Sequence, residues 1–235
     1  QRGVGLMREN VSLASSGKMP SVVADHLRHE IVEGRMEPGD RINVRQLGQL
    51  LSVSAIPIRE ALRLLESEGM VETIPNVGAI VANVSLLELE AVYDLRRLIE
   101  PAIACRSVGN MSDDHRATLR KTLDELVSVE RNGENINTFI LTHRRFHWEL
   151  LAPGATPLVE ITLRRLWRIS ERYLALTRRT ALPVADIQHE QMVELCARHD
   201  GDGLADLLAT HLLLTAKSVA VLFGKNSDVT GSVSA

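Results

Sequence analysis

Four of the eight histidines in this sequence could act together as metal ligands. His143 and His147 are four residues apart in a predicted helix, so their side chains share one face at a separation of about 6 Å. His189 and His211 fall in two later predicted helices. Imidazole nitrogens bind transition metals at about 2.0–2.1 Å, so neighbouring histidines can converge on one ion. Pairs at this spacing are also common on helix surfaces, and the spacing alone leaves both interpretations open.

A second set of candidates, in the first third of the chain, could contact DNA. Arg45 lies at the start of one short predicted helix, and Ser54, Ile56 and Arg59 lie at the start of the next. Arginine binds phosphates and guanine edges, and an apolar side chain can contact the thymine methyl group. Gly78, in a later turn, would let the backbone approach a sugar-phosphate strand closely. Charge alone favours the alternative that these arginines are solvated residues of helix surfaces.

The elements around these residues follow the order of a winged helix-turn-helix. The prediction for 19–84 is a helix capped by Ser21, a short second helix, a tight turn at 52–54, a third helix over 55–68, and strands over 70–74 and 79–84. In such a module the third helix enters the major groove N-terminus first, while the preceding helix crosses the DNA backbone. The order of elements therefore favours DNA binding.

The rest of the chain has long helical periodicity and almost no strand signal. Glycine, proline and asparagine separate six predicted helices, which cover 86–107, 112–131, 135–151, 156–180, 184–199 and 202–223. The predicted fold class is therefore mainly α, with an N-terminal winged helix-turn-helix (19–84) followed by an all-helical antiparallel bundle of about six helices (85–225). Residues 1–18 and 226–235 show no sustained period and are predicted to be disordered.

Composition and charge limit the classes of function. With 45% hydrophobic and 24% charged residues, the chain has an ordinary soluble globular composition. Its net charge is −3, and 18–84 holds seven Lys or Arg against nine Asp or Glu, so any DNA-binding face must be local. We expect this face to draw on a few arginines: Arg28, Arg41, Arg45, Arg59 and Arg63.

Two further features concern the cellular compartment. No apolar run approaches the roughly 18 residues needed to cross a bilayer. Cys105 and Cys196 form neither a zinc-knuckle spacing nor a disulfide framework. We therefore expect a cytoplasmic protein without a membrane partner.

Short motifs across the first module resemble those of a known family. They are Leu27-Arg28, Pro38-Gly39-Asp40-Arg41, Leu51-Ser52-Val53-Ser54, Pro57-Ile58-Arg59-Glu60-Ala61-Leu62 and Leu65-Glu66-Ser67-Glu68-Gly69, followed by Gly78 and Val81. In this order they resemble the N-terminal domain of the GntR family of bacterial transcription regulators. That family usually has a base-contacting arginine where this chain has Ala55, which implies an operator that differs from the usual one. Ile56 beside it could contact a thymine methyl group instead.

A second group of motifs covers the helical half. They are Tyr93-Asp94-Leu95-Arg96, Glu100-Pro101, His143, Phe146-His147, His189-Glu190 and His211. Residues 86–222 thereby resemble the FCD type of effector domain, found in the FadR subfamily of GntR regulators. The resemblance implies a metal site of one aspartate and three histidines, with His143 here at the aspartate position and His147, His189 and His211 at the others. Four neutral imidazoles would leave a divalent ion its full charge, which favours zinc, nickel or copper over manganese, with zinc as our first expectation.

The resemblance also implies a small-molecule effector. We expect a small carboxylate that bridges the metal and Arg96, because a planar guanidinium can bind a carboxylate through two hydrogen bonds. Two alternatives stay open. Arg96 or Arg97 could pair with Glu100 on the helix surface, and His143 could have abolished the metal site.

The predicted function is that of a ligand-responsive transcription regulator, a repressor by family tendency, that binds a palindromic double-stranded operator as a homodimer. The alternative is a histidine-rich, metal-dependent hydrolase with an accessory helical module. Such an enzyme needs a general base close to the metal. The candidate base, Glu190, follows His189 directly and therefore points about 100° away from it on a helix. We expect no enzymatic activity.

Overall fold

The computed structural model describes residues 19–177 and 185–230. The chain divides into two compact units, of which the first ends at Asn83 and the second begins at Val84. Residues 1–18 and 231–235, both predicted to be disordered, lie outside the described residues. So do 178–180 at the end of the predicted helix over 156–180 and 184 at the start of the predicted helix over 184–199.

The first unit is a winged helix-turn-helix, as predicted. Its elements are α1 (Met19–Val32), α2 (Val44–Leu51), α3 (Ala55–Ser67), β1 (Val71–Ile74) and β2 (Gly78–Val81). The two strands pair antiparallel, with Val71 opposite Val81 and Ile74 opposite Gly78. The expected cap at Ser21 is wrong, because α1 already begins at Met19 and Ser21 lies within its first turn.

The turn between α2 and α3 depends on a close backbone approach. Asn43 caps α2 by accepting hydrogen bonds from the amides of Arg45 and Gln46. Ser52 ends α2 in the left-handed conformation, with φ 56°. A Cβ atom at Gly48 would lie 2.9 Å from the carbonyl oxygen of Val53, so glycine lets the chain turn directly into α3.

The second unit is an all-helical bundle, also as predicted. Within the described residues, its helices are α4 (Leu86–Asn110), α5 (Asp113–Arg131), α6 (Ile136–Leu151), α7 (Pro157–Thr177), α8 (Ala185–Ala197) and α9 (Gly201–Thr230), with a 3-10 turn at Ala152–Gly154. Helix α4 packs against α9 and α7, and α5 packs against α6 and α8. Their buried faces bring α6, α8 and α9 together around three histidines that are themselves buried.

The last helix differs most from its prediction. Helix α9 continues to Thr230, so 226–230 is helical rather than part of a disordered tail. No proline interrupts this stretch, so the helix can run on. Its segment Gly201–Phe223, with mean hydropathy 1.5, is long and apolar enough to cross a membrane by length and composition, contrary to the expectation that no run approached that length. In this chain the same segment packs on α4.

Candidate functional site

The structure gathers some of the predicted DNA-contacting residues at one hollow of the first unit. Arg45 on α2 and Arg59 on α3 are both exposed and line this hollow. The remaining lining residues are small or polar: Val44, Gly48, Gln49, Val53 and Ala55. Gln49 is one helical turn beyond Arg45, and this spacing could have identified it as a further candidate.

The start of α3 presents two more predicted residues. Ser54 is the N-cap of α3, but its side chain makes no capping hydrogen bond. Ile56, in the first turn, is 69% exposed. A free hydroxyl and an exposed apolar side chain at a helix N-terminus are groups that can contact a phosphate and a thymine methyl group.

The turn between β1 and β2 and the predicted DNA-contacting arginines of this unit match the sequence prediction only in part. Gly78 is exposed at the turn between the strands with φ +98°, a conformation that favours glycine. The Arg41 guanidinium donates a hydrogen bond to the carbonyl of Val77 at the same turn. The expected contribution of Arg28 to a DNA-binding face is wrong. Its side chain is 13% exposed and pairs with Glu68 at 2.9 Å, which ties α1 to the end of α3.

In the second unit, the four predicted metal ligands lie together. One ring nitrogen from each of His143, His147, His189 and His211 lies within 4.8 Å of the others. The Nε2 atoms of His143 and His147 are 3.2 Å apart, and His211 Nδ1 lies 3.0 Å from the side-chain oxygen of Gln188. Helix α6 supplies the first two histidines, α8 the third and α9 the fourth.

The surroundings of this cluster favour the neutral form of two of its imidazoles, those of His147 and His211. Burial lowers the pKa of His147 well below its usual value, and the other three histidines and Arg96 lower it further. Burial lowers the pKa of His211 in the same way, with added effects from His189 and Arg96. The Nδ1 atom of His147 is buried and has no hydrogen-bond partner among the described residues. Neutral imidazoles with buried nitrogens are suited to binding a metal ion.

A cavity of about 190 Å³ opens beside the histidines. His143, His147 and His211 lie in its wall. The other lining residues come mainly from α4, α6, α7 and α9, and include Tyr93, Arg96, Phe139, Arg144, Trp167, Ser170, Glu171 and Thr215. The contribution of Trp167, Ser170 and Glu171 from α7 was missed from the sequence, because helical spacing does not distinguish a cavity wall from ordinary core packing.

Arg96 is buried in this wall and already has partners. Its Nε atom donates to Glu100 at 2.7 Å and one terminal nitrogen donates to Ser170 at 3.1 Å. Trp167 also donates to the Glu100 carboxylate, at 2.7 Å, and the guanidinium lies over the ring of Tyr93. The alternative of an Arg96–Glu100 pair was therefore correct about the partners and wrong about the surface, because both side chains are buried.

The candidate general base from the sequence, Glu190, does not line the cavity. Glu190 is exposed and pairs with Arg120 at 2.5 Å. Arg97 is also outside the cavity wall, and its guanidinium lies 3.7 Å from Asp94. Glu171, which does line the cavity, pairs with Arg144 at 3.2 Å. The arrangement is that of a binding cavity with paired charges.

Comparison with known proteins covers both units. Residues 21–81 match the family of bacterial regulatory proteins named gntR, and residues 91–214 match the FCD domain. The chain is 25% identical over 196 residues to the transcriptional repressor GlaR of Escherichia coli, covering 80% of this chain and 89% of GlaR. It is 30% identical over 127 residues to the transcriptional regulator YdhC of Bacillus subtilis, covering 54% of this chain and 56% of YdhC.

Solved structures show the same fold. Escherichia coli McbR/YncC superposes with a TM-score of 0.75 at 21% identity, covering 91% of this chain and all of that one. A GntR regulator from Rhodococcus sp. RHA1 superposes with a TM-score of 0.70 at 20% identity, covering 85% of this chain and 96% of that one. The family consists of regulators that bind DNA operators and small-molecule effectors, rather than enzymes. This chain therefore belongs to the GntR family and is a DNA-binding transcription regulator with an FCD effector domain.

Proposed function

We propose that this regulator binds a divalent metal ion and a small carboxylate in its helical unit, and that the two ligands change its affinity for an operator. The observation that carries the proposal is the position of His143, His147 and His211 in the wall of the same cavity as Arg96. The regulator would act in the cytoplasm as a repressor.

The histidines fit a late first-row metal ion. All four donors are imidazole nitrogens within 4.8 Å of one another, and His147 and His211 have lowered pKa values. Imidazole is a suitable ligand for zinc, nickel and copper, and we assign zinc first. In the bound state, the ion would supply a positive centre to which an anion can coordinate.

The cavity fits a small anionic effector. The charged residues in its wall are Arg96, Arg144, Glu130 and Glu171, and their formal charges sum to zero. A divalent ion held by neutral imidazoles would therefore leave the cavity with excess positive charge. The volume of about 190 Å³ favours a small carboxylic acid over a long acyl chain. Arg96 would bind the carboxylate on the side opposite the metal.

DNA binding would involve Arg45, Ser54, Ile56, Arg59 and Gly78. A homodimer would place two copies of α3 on the two halves of a palindromic operator, because paired recognition helices bind paired half-sites. On α4, the exposed apolar residues Leu87, Leu95 and Leu98 share one helical face and offer a surface for contact between the two copies.

The test begins with an operator that the protein selects from random DNA duplexes. This operator is titrated with metal-free protein, with zinc-loaded protein, and with zinc-loaded protein in the presence of each of a panel of small carboxylic acids. We expect at least one acid to change operator affinity by about 5- to 150-fold, the range of ordinary allosteric coupling. The proposal is overturned if zinc raises the melting temperature while no acid changes DNA binding, since the metal would then be structural only.

Two matched variants show whether Arg96 takes part. Arg96→Lys keeps the charge but loses the planar guanidinium, so we expect the response to the acid to be lost. Arg97→Lys makes the same change at the adjacent, exposed residue and should respond like the wild type. An unaltered response in Arg96→Lys would remove Arg96 from the effector site.

A further inference from the structure

Helices α4 and α7 are joined at two places along their antiparallel contact. The first junction lies in the wall of the cavity, where Arg96 donates to Ser170 and Trp167 donates to Glu100. Both bonds are buried. A ligand that binds Arg96 therefore contacts a guanidinium that is already hydrogen-bonded to Ser170 of α7.

The second junction lies at the start of α4. The backbone amide of Ser85 donates to the Tyr173 hydroxyl at 3.0 Å, and that hydroxyl donates to the Glu88 carboxylate, with the Ser85 carbonyl oxygen also 3.0 Å away. Arg172 donates to the same carboxylate at 2.7 Å. Tyr173 is fully buried, and burial together with its bond to Glu88 raises its pKa.

This second junction modifies a standard helix cap. Ser85 and Glu88 have the spacing of a capping box, in which serine accepts from the backbone amide of the glutamate and the glutamate accepts from the backbone amide of the serine. Here Ser85 Oγ does accept from the Glu88 amide at 3.1 Å. The Ser85 amide, however, is bound by Tyr173, and Glu88 is bound by Tyr173 and Arg172. The first turn of α4 is therefore capped by side chains of α7.

We propose that Tyr173 and Arg172 are positioning residues that transmit the state of the cavity to the first turn of α4. That turn begins at Leu86, three residues after Asn83, the last residue of the DNA-binding unit. The proposal rests on the proposed function, in that the cavity must bind a ligand. It adds the route by which binding there reaches the segment that leads to the DNA-binding unit.

Helix geometry supports this route. Ser170 and Tyr173 are three residues apart, less than one turn of α7, so a movement of α7 at the cavity also moves the cap. Arg96 lines the same cavity as His147 and His211, so charge bound at the histidines also acts on Arg96. The Tyr173 side chain is buried and its hydroxyl bonds to the first turn of α4, so a shift of α7 changes these hydrogen bonds.

The first experiment uses hydrogen–deuterium exchange of the full-length, metal-free protein and follows a peptide that contains Ser85 and Glu88. Tyr173→Phe removes the hydroxyl and keeps the ring. We expect exchange of this peptide to accelerate by about fivefold, which corresponds to one hydrogen bond of about 1 kcal/mol. Thr162→Val is the control, because its hydroxyl donates to Leu158 within α7 itself. Unchanged exchange in Tyr173→Phe overturns the proposal.

The second experiment adds zinc alone as the cavity ligand. In the wild type, we expect zinc to change exchange of this peptide. In Tyr173→Phe, we expect zinc to bind at the wild-type stoichiometry and to leave exchange of the peptide unchanged. If Tyr173 only stabilised the fold, its replacement would not abolish the exchange response of this peptide while zinc still bound at the wild-type stoichiometry. An equal zinc response in both proteins overturns the proposal.

The two proposals fail in different ways. Lack of zinc uptake by the wild type contradicts the proposed metal site. The role of Tyr173 in the cap is then tested by comparing hydrogen–deuterium exchange of the metal-free wild type and Tyr173→Phe. Zinc uptake by the wild type without any change in this peptide overturns the transmission route while the metal site stands.

Discussion

Replacing Glu100 with glutamine is expected to destabilise the helical unit far more than the same replacement at Glu125. Glu100 is fully buried and accepts hydrogen bonds of 2.7 Å from both Arg96 and Trp167. Glu125 pairs with Arg145 at a similar distance, 2.9 Å, but both side chains are exposed, at 39% and 52%. The two replacements therefore differ in burial and not in chemistry.

The magnitude follows from the cost of leaving a buried charge without its partner. Breaking one side of a buried ion pair costs about 3–5 kcal/mol. Glutamine keeps an oxygen that can still accept from Arg96 and Trp167, so we expect the low end, about 3 kcal/mol. An exposed pair contributes about 0–1 kcal/mol, which sets the expectation for Glu125→Gln. The difference between the variants should be about 2 kcal/mol or more.

The assay is urea unfolding of metal-free protein followed by tryptophan fluorescence. The chain has two tryptophans, Trp148 and Trp167, and both belong to the helical unit, so the signal reports its unfolding. The m-values of the variants must match for the midpoints to be compared. Equal destabilisation by Glu100→Gln and Glu125→Gln would refute the reasoning, since the buried Arg96 charge would then not depend on Glu100.

Three further predictions concern separate parts of the molecule. Arg59→Ala should weaken binding to the selected operator by about 1–3 kcal/mol in a fluorescence titration, without unfolding the protein. Gly48→Ala should lower the melting temperature of the DNA-binding unit, because its Cβ would lie 2.9 Å from the Val53 carbonyl oxygen. The free energy of unfolding of the metal-free protein should fall as the pH falls below about 6.5, because the pKa values of His147 and His211 are lowered in the folded chain. The two histidines together contribute up to about 2.7 kcal/mol per pH unit, which urea unfolding at several pH values measures. The sign follows because these histidines take up protons more readily in the unfolded chain than in the folded one.

Matched variants check each of these predictions. Arg145→Ala removes an exposed arginine of the helical unit, outside the hollow, and should leave operator affinity close to the wild type. Gly109→Ala adds a methyl group with no atom within 4 Å, so it should not destabilise. Replacing both His147 and His211 with glutamine should flatten the pH dependence, and an unchanged slope would show that other groups cause it.

The parts of the fold set by local signals could be predicted from the sequence. The helix-turn-helix follows from short-range turn chemistry, such as the tight turn at Ser52, and the hairpin follows from Gly78. The histidine cluster could be predicted because His143 and His147 share a helix face and the family resemblance supplied His189 and His211. Local patterns and resemblance together were sufficient for these features.

The remaining differences arise from contacts between residues distant in sequence. Arg28 pairs with Glu68 across 40 residues, which no local pattern shows. The burial of Arg96 with Glu100 depends on Ser170 and Trp167 from α7, so sequence spacing suggested the pair but not its environment. Helical periodicity tells which residues of one helix share a face and does not tell which helix that face meets.

The most direct test of the metal- and effector-binding account is the metal content of the purified protein, measured by elemental analysis after dialysis and zinc reconstitution, for the wild type and His147→Ala. The account predicts about one zinc ion per chain in the wild type and loss of the ion in the variant, because His147 is one of four converging ligands. No metal in the reconstituted wild type, or stoichiometric zinc in His147→Ala, would contradict it.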